Sequence, residues 1–288
     1  MPTEFWAIIA ANWPALLATF GLFLVVGFFA QLIDGAVGMA YGVISSSVLL
    51  AFGVAPAQVS ASIHVAECFT TGASGLSHFA HRNIDWRLFF RLAPAGIIGG
   101  VLGAYVLTGL EVTLIKALVV AYLGGLGCFL LYRAVLGLRE EPPHLNHVIP
   151  IGLVGGFLDA SGGGGWGPIV TTNLLGRGHA PRYAIGSVNA SEFFVTIAIS
   201  AAFIAAILTG RMEVADHELV AGVAAILGLV LGGLLSAPLA GYVTKVAPAR
   251  LLLGAAAVLV IGLSIWQGIQ VWPQVLDGLQ ERGIEFTH

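Results

Sequence analysis

Apolar stretches follow one another along almost the whole chain, parted by short polar or glycine-rich interruptions. Segments of about 20 such residues are long enough to cross the ~30 Å hydrocarbon core of a bilayer. The first is expected over 14–33, where Asp34-Gly35 interrupts it; apolar sequence resumes over 36–53, stops at Val54-Ala55-Pro56 and continues over 57–80. The polar run from His81 to Arg87 leads into a fourth segment ending near Gly109, and a fifth covers 112–132. The longest hydrophilic stretch contains Arg139-Glu140-Glu141-Pro142-Pro143-His144 and reads as an exposed linker. The plan then repeats: 148–158 and 165–176, broken between Ser161 and Gly165, followed by 184–209, 217–243 and 250–271. The expected organisation is a first membrane repeat over 14–132, a cytoplasmic linker over 133–147 and a second repeat over 148–271.

The repetition extends to individual residues. Residues 34–71 align with 159–196 without a gap, at a constant offset of 125, and 13 of the 38 pairs are identical. The matches include Asp34/Asp159, Gly38/Gly163, Gly42/Gly167, Pro56/Pro181, Ser62/Ser187 and Glu67/Glu192, which bend backbone or carry charge. Five segments per half is an odd number, so the second half must run in the opposite sense across the membrane, the inverted repeat of many secondary transporters. The fold expected is an all-α integral membrane protein of two inverted-topology repeats, with Gly-broken or re-entrant helices opening each.

Charge placement supports that threading. Arg82, Arg87, Arg91, Arg133, Arg139, Arg177, Arg182, Lys245 and Arg250 fall on one face, against Arg211 and Arg282 on the other. Basic loops stay in the cytoplasm, so both termini are expected on the periplasmic side of a bacterial inner membrane. With 58% hydrophobic and 9% charged residues, a soluble domain, whose charged share is about a quarter, is excluded. Met1 to Trp6 lacks the basic start of a secretory signal, so no targeting peptide is expected. Cys68 and Cys128 lie far apart in apolar segments, which argues against a disulfide or a thiolate metal site. Gly96, Gly99, Gly100 and Gly103, like Gly228 and Gly232, have the small-residue spacing of close helix packing and read as scaffold.

Four acids sit within the apolar segments or their breaks: Asp34, Glu67, Asp159 and Glu192. Each costs roughly 2.5–3.5 kcal/mol at mid-membrane, so four unpaired ones would cost on the order of 10 kcal/mol. They must be protonated, paired or wet. Asp34 and Asp159 are placed to cap the helices that follow the breaks. Glu67 and Glu192 each follow a polar residue three positions earlier, His64 and Asn189, on the same helical face, and are the candidates for proton or ion coupling. Helix N-termini exposed at the breaks can bind an anion through main-chain N–H groups without Lys or Arg. The candidate substrate-binding set is Gly38, Tyr41, Ser45, Ser46, Ser62, His64, Gly163, Trp166, Thr171, Thr172, Ser187 and Asn189. Gly162-Gly163-Gly164-Gly165 lacks the Lys-Ser/Thr of a phosphate loop.

Trp166-Gly167-Pro168, the turn Gly178 to Pro181, and Gly186-Ser187-Val188-Asn189 leading to Glu192-Phe193-Phe194 resemble the TauE/SafE sulfite exporter family. The resemblance implies a bacterial inner-membrane transporter of sulfite, sulfonate or related sulfur compounds. The first copy fits less closely, with fewer glycines and Val43 where the second has Pro168. The expected function is proton-coupled export of a small sulfur oxyanion by alternating access, without cofactor, metal or catalysis. Its expected partners are the anion, a coupling proton or ion and the bilayer, with no nucleic acid. A cation-coupled carrier or channel using the acids as ligands is the alternative. An intramembrane enzyme has no His-Glu-x-x-His or cysteine cluster to support it.

Overall fold

The computed structural model describes residues 2–110, 112–136, 147–177, 179–214, 216–246 and 249–281, and no strand forms among them. In order come α1 (Pro2–Val37), α2 (Tyr41–Ala51), α3 (Pro56–Ala80), α4 (Trp86–Leu107), α5 (Val112–Leu136), α6 (Val148–Gly162), a π turn (Gly167–Thr171) running into α7 (Thr172–Gly176), α8 (Pro181–Leu208), α9 (Asp216–Val246) and α10 (Ala249–Glu281). Six stretches, within α1, α4, α5, α8, α9 and α10, are long and apolar enough to cross a membrane. At 25 residues, α3 is also long enough, about 37 Å at 1.5 Å per residue. Its sequence is more polar because Ser60, His64, Glu67, Thr70 and Thr71 are buried against other helices, where lipid does not meet them.

The helices interlace. α1 packs along α9 and α6 along α4, so the first helix of each half lies on the fourth helix of the other; α3 pairs with α8 and α5 with α10. Glycine makes the first two contacts possible. A Cβ on Gly99 or Gly103 would strike the carbonyl oxygens of Leu153 or Phe157 in α6, and one on Gly228 or Gly232 would strike those of Phe20 or Leu24 in α1. The two overlapping pairs in α4 divide their work: Gly99 and Gly103 face α6, whereas Gly96 and Gly100 face Trp166, Val195 and Ile199.

The breaks lie later than the sequence pattern suggests. α1 continues through Asp34 to Val37 and bends at Gly38 to Ala40, where φ is 75° at Gly38 and 112° at Ala40. α6 continues through Asp159 to Gly162, and Gly163 bends with φ 68°. Both aspartates therefore sit in the last turn of a helix and reach forward. The two copies differ where Val43 stands in place of Pro168: α2 is a regular helix, whereas Gly167–Thr171 is a π turn. Proline has no N–H and crowds the preceding turn, which favours the wider one. α5 runs through Arg133, whose Nη2 donates to Thr172 O at 3.2 Å, so the linker starts later than expected; its remainder, 137–146, lies outside the described residues. Both cysteines are free thiols.

Gly99→Ala is expected to lower the thermal midpoint of the detergent-purified protein, at a cost of about 1–3 kcal/mol from overpacking. Gly262→Ala is the control, since nothing lies within 4 Å of the added methyl, and it should change stability by less than about 1 kcal/mol.

Candidate functional site

A helix that begins inside a membrane exposes N–H groups that lipid cannot satisfy. Here each break supplies its own acceptor. Asp34 Oδ1 accepts from the Tyr41 N–H at 3.3 Å, and Asp159 Oδ1 accepts from the N–H groups of Gly165 and Trp166 at 2.7 and 3.0 Å. The same aspartates accept through their main-chain oxygens from Gly38 N–H (2.5 Å) and Gly163 N–H (2.6 Å). Counterparts 125 positions apart thus make the same two kinds of bond, and the N-terminal amides of both half-helices hold a carboxylate.

The two breaks touch each other. A Cβ on Gly42 would lie 2.7 Å from Gly164 Cα and 3.0 Å from Glu67 Oε1. Ser46 Oγ bonds Gly163 O across the contact and lies 2.6 Å from Gly42 O; Thr171 Oγ1 donates to Gly38 O at 3.0 Å, and Thr172 Oγ1 to Met39 Sδ at 3.5 Å. The inward face of α3 runs over this junction. Ser60 Oγ donates to Ala160 O at 2.6 Å, and His64 Nε2 meets Asp159 Oδ2 at 3.1 Å. His64, Asp159 and Glu67 are only 0, 2 and 3% exposed, and one ligand atom from each lies within 4.8 Å of the others. Glu67 Oε2 and Ser45 Oγ are buried without a hydrogen bond. Trp166 is wholly buried, its Nε1–H directed to Val188 O, and the Tyr41 hydroxyl donates to Leu229 O.

Three of the expected residues lie elsewhere. Ser62 lines a cavity of about 700 Å³ bounded by α1, α2, α3, α8 and α9 and by the loops 53–55 and 212–214. Phe203 walls its inner end and stands with its ring centroid 6.5 Å from that of His64. Ser187 sits towards the opposite end of α8, accepting from Asp85 N–H at 2.8 Å and lying 3.2 Å from Asp85 O. Asn189 is tied to Ser74 Oγ at 3.0 Å, and Arg182 donates to Asn83 Oδ1 (2.5 Å) and His81 O (2.9 Å) at the same end. His179, in the adjoining loop, is held below the ordinary histidine range by burial, which the Asp85 carboxylate partly opposes. Glu192, half-buried on α8 beyond Asn189, stands instead within electrostatic reach of Asp34, Asp159 and Glu67.

Sequence reasoning missed Ser60, Phe203 and the Asn83–Asp85 clamp. Ser60 was within reach, being one turn before His64 on the face that carries Glu67. The clamp joins residues about 100 positions apart, which no local pattern shows.

The sequence that builds this junction is matched by known proteins. The profile described as "Sulfite exporter TauE/SafE" matches residues 23–266. This chain belongs to the TauE/SafE sulfite exporter family. A similar relative, described as "Probable membrane transporter protein YtnM" from Bacillus subtilis (strain 168), is 39% identical over 231 residues, covering 78% of this chain and 74% of its own. No solved structure matches significantly. The chain is thus a membrane transporter of the TauE/SafE family.

The clamp around Asn83 and Asp85 ties the start of α8 to the turn between α3 and α4. Arg182→Ala with Ser187→Ala is expected to raise the labelling rate of Ser74→Cys by a polar thiol reagent, in a background lacking Cys68 and Cys128, roughly tenfold. A net loss of about 1.4 kcal/mol, from partly exposed hydrogen bonds each at the low end of about 0.5 kcal/mol, shifts an opening equilibrium by that order. An unchanged rate would show that other contacts close this end.

Proposed function

We propose that this protein moves a small sulfur oxyanion, sulfite or an organosulfonate, across the bacterial inner membrane with a proton, by alternating access. The observation that carries this reading is the junction of the two breaks: two half-helix N-termini meet among four acids, and each presents main-chain N–H groups already holding a carboxylate. Such groups recognise an oxyanion as readily as an aspartate. The stretches 34–71 and 159–176 contain no Lys or Arg, so the anion is bound by dipoles and hydroxyls, with Ser45, Ser46, Thr171 and Thr172 beside the amides. Substrate and aspartate compete for one set of donors. Protonating the aspartate weakens its claim on them and admits the anion, so proton and anion bind together. A sulfite dianion carrying one proton leaves with a net negative charge, which a potential negative inside expels with about 2.3 kcal/mol per 100 mV.

Alternating access is supported by the difference between the two ends. α3 and α8, counterparts in the duplication, run antiparallel, with Ser74 against Asn189 and Cys68 against Ser200. At one end Ser187 and Arg182 bind the α3–α4 turn; at the other the α8–α9 loop is drawn to α4 by Arg211, which donates to Thr108 Oγ1 and Tyr105 O, and the cavity stays open beside Ser62. In an inverted repeat, closing the cavity and releasing the clamp are equivalent movements of the two halves. In this reading the clamp, beside the basic loops, faces the cytoplasm, and the cavity and both termini face the periplasm.

In proteoliposomes, sulfite flux is expected to respond to an imposed pH gradient and to be inhibited by an alkyl sulfonate. Glu67→Gln is expected to reduce gradient-driven flux at least about tenfold, a loss of about 1.4 kcal/mol in driving force or barrier. Sulfite flux indifferent to the gradient would contradict proton coupling, and sodium-dependent flux that ignores sulfite would favour the cation-coupled reading.

A further inference from the structure

The contact between His64 and Asp159 joins the two halves of the chain, and its proton balance can be read from its bonds. His64 Nδ1 lies 2.7 Å from Ser60 O. A carbonyl oxygen only accepts, so Nδ1 carries the hydrogen. Ser60 Oγ, 3.2 Å from the same nitrogen, sends its own hydrogen to Ala160 O at 2.6 Å and does not alter that assignment. With Nδ1 protonated, the Nε2 of a neutral imidazole presents a lone pair, and it does so towards Asp159 Oδ2 at 3.1 Å. Two acceptors at that distance repel unless one further proton lies between them. Asp159 Oδ1 is meanwhile occupied by the amides of Gly165 and Trp166, so the proton belongs on the Oδ2 side.

We infer that the proton coupled to transport is the one shared between His64 Nε2 and Asp159 Oδ2. This rests on the proton-coupled reading above and names its atoms. The site differs from its counterpart: Asn189 stands where the duplication would put a second histidine, and it bonds Ser74 and Ile185 O instead of Asp34. Among the described residues there is thus one such contact. Its surroundings are acidic. Glu67 on α3, Glu192 on α8 and the phenol of Tyr122 on α5 interact electrostatically with Asp159. Glu67 and Glu192 interact in turn with Asp34 on α1, and Glu67 also with Tyr41 on α2 and the Cys68 thiol. Phe203 lines the cavity and stands beside His64 with its ring centroid 6.5 Å away, so the cavity is the nearest route for this proton. With the proton present, α3 of the first half is tied to the break of the second. With it gone, the facing acceptors push apart, and Asp159, now fully charged, holds more strongly the amides that the anion needs.

Asp159→Asn tests this closely. Asparagine keeps an oxygen for the amides of Gly165 and Trp166 and offers an N–H to Nε2, so the contact persists with a proton that cannot leave. The measurement is the ratio of gradient-driven sulfite accumulation to sulfite/sulfite exchange in proteoliposomes. For one proton per anion, a gradient of about one pH unit drives accumulation of about tenfold on the alkaline side in the wild type. In Asp159→Asn the accumulation should fall to the level of exchange alone, and the ratio should drop by about the same factor. His64→Gln, which also removes the shared proton, should give the same loss and serves if the first variant does not fold. Wild-type accumulation that persists undiminished in either variant overturns this assignment and leaves proton coupling standing. A wild type that does not respond to the gradient overturns both.

Discussion

Interrupting a helix inside a membrane strands main-chain N–H groups where water cannot reach them, and the way this chain satisfies them governs the rest of the structure. Asp34 and Asp159 each close the helix that carries them and cap the one that follows. That requirement puts two carboxylates in the apolar interior. A second demand follows at once: the charges, with Glu67 and Glu192, need protons or partners. His64 meets it for Asp159, and the hydroxyls of Ser46 and Thr171 satisfy carbonyls that the breaks leave free.

The interlaced packing holds this junction in place. Because α1 lies on α9 and α6 on α4, neither break belongs wholly to its own half, and the glycines of α4 and α9 let the backbones of each pair touch. α3 and α8 cross between these pairs with their polar faces inward. In the proposed mechanism a change at the junction is felt at both ends, at the cavity beside Ser62 and at the clamp on Asp85. The capping bonds thus link the chemistry of the site to the shape of the bundle.

Much of this was legible in the sequence because membrane solvation writes in long apolar runs and rare charges. The ten segments, the duplication and the Asp caps follow from Asp34, Gly38, Asp159 and Gly163 and their surroundings. The exact bends did not follow, since Asp34-Gly35 looks like an interruption yet remains helical, the aspartate reaching forward from within the last turn. Contacts between distant segments were also hidden. His64 was paired in sequence with Glu67, its neighbour on the helix, whereas its bonded partner is Asp159, 95 positions away. Ser62 and Ser187 match in the duplication but occupy different settings, one in the open cavity and one in the closed clamp. A sequence records their equivalence and not which end is shut.

The central claim is that substrate and aspartate carboxylate compete for the same main-chain donors. A structure of the protein with a sulfur oxyanion bound tests it most directly. The anion is expected within hydrogen-bonding distance of the N–H groups of Gly165 and Trp166, with the Asp159 carboxyl turned away from them. An anion bound elsewhere while Asp159 keeps both bonds would contradict it.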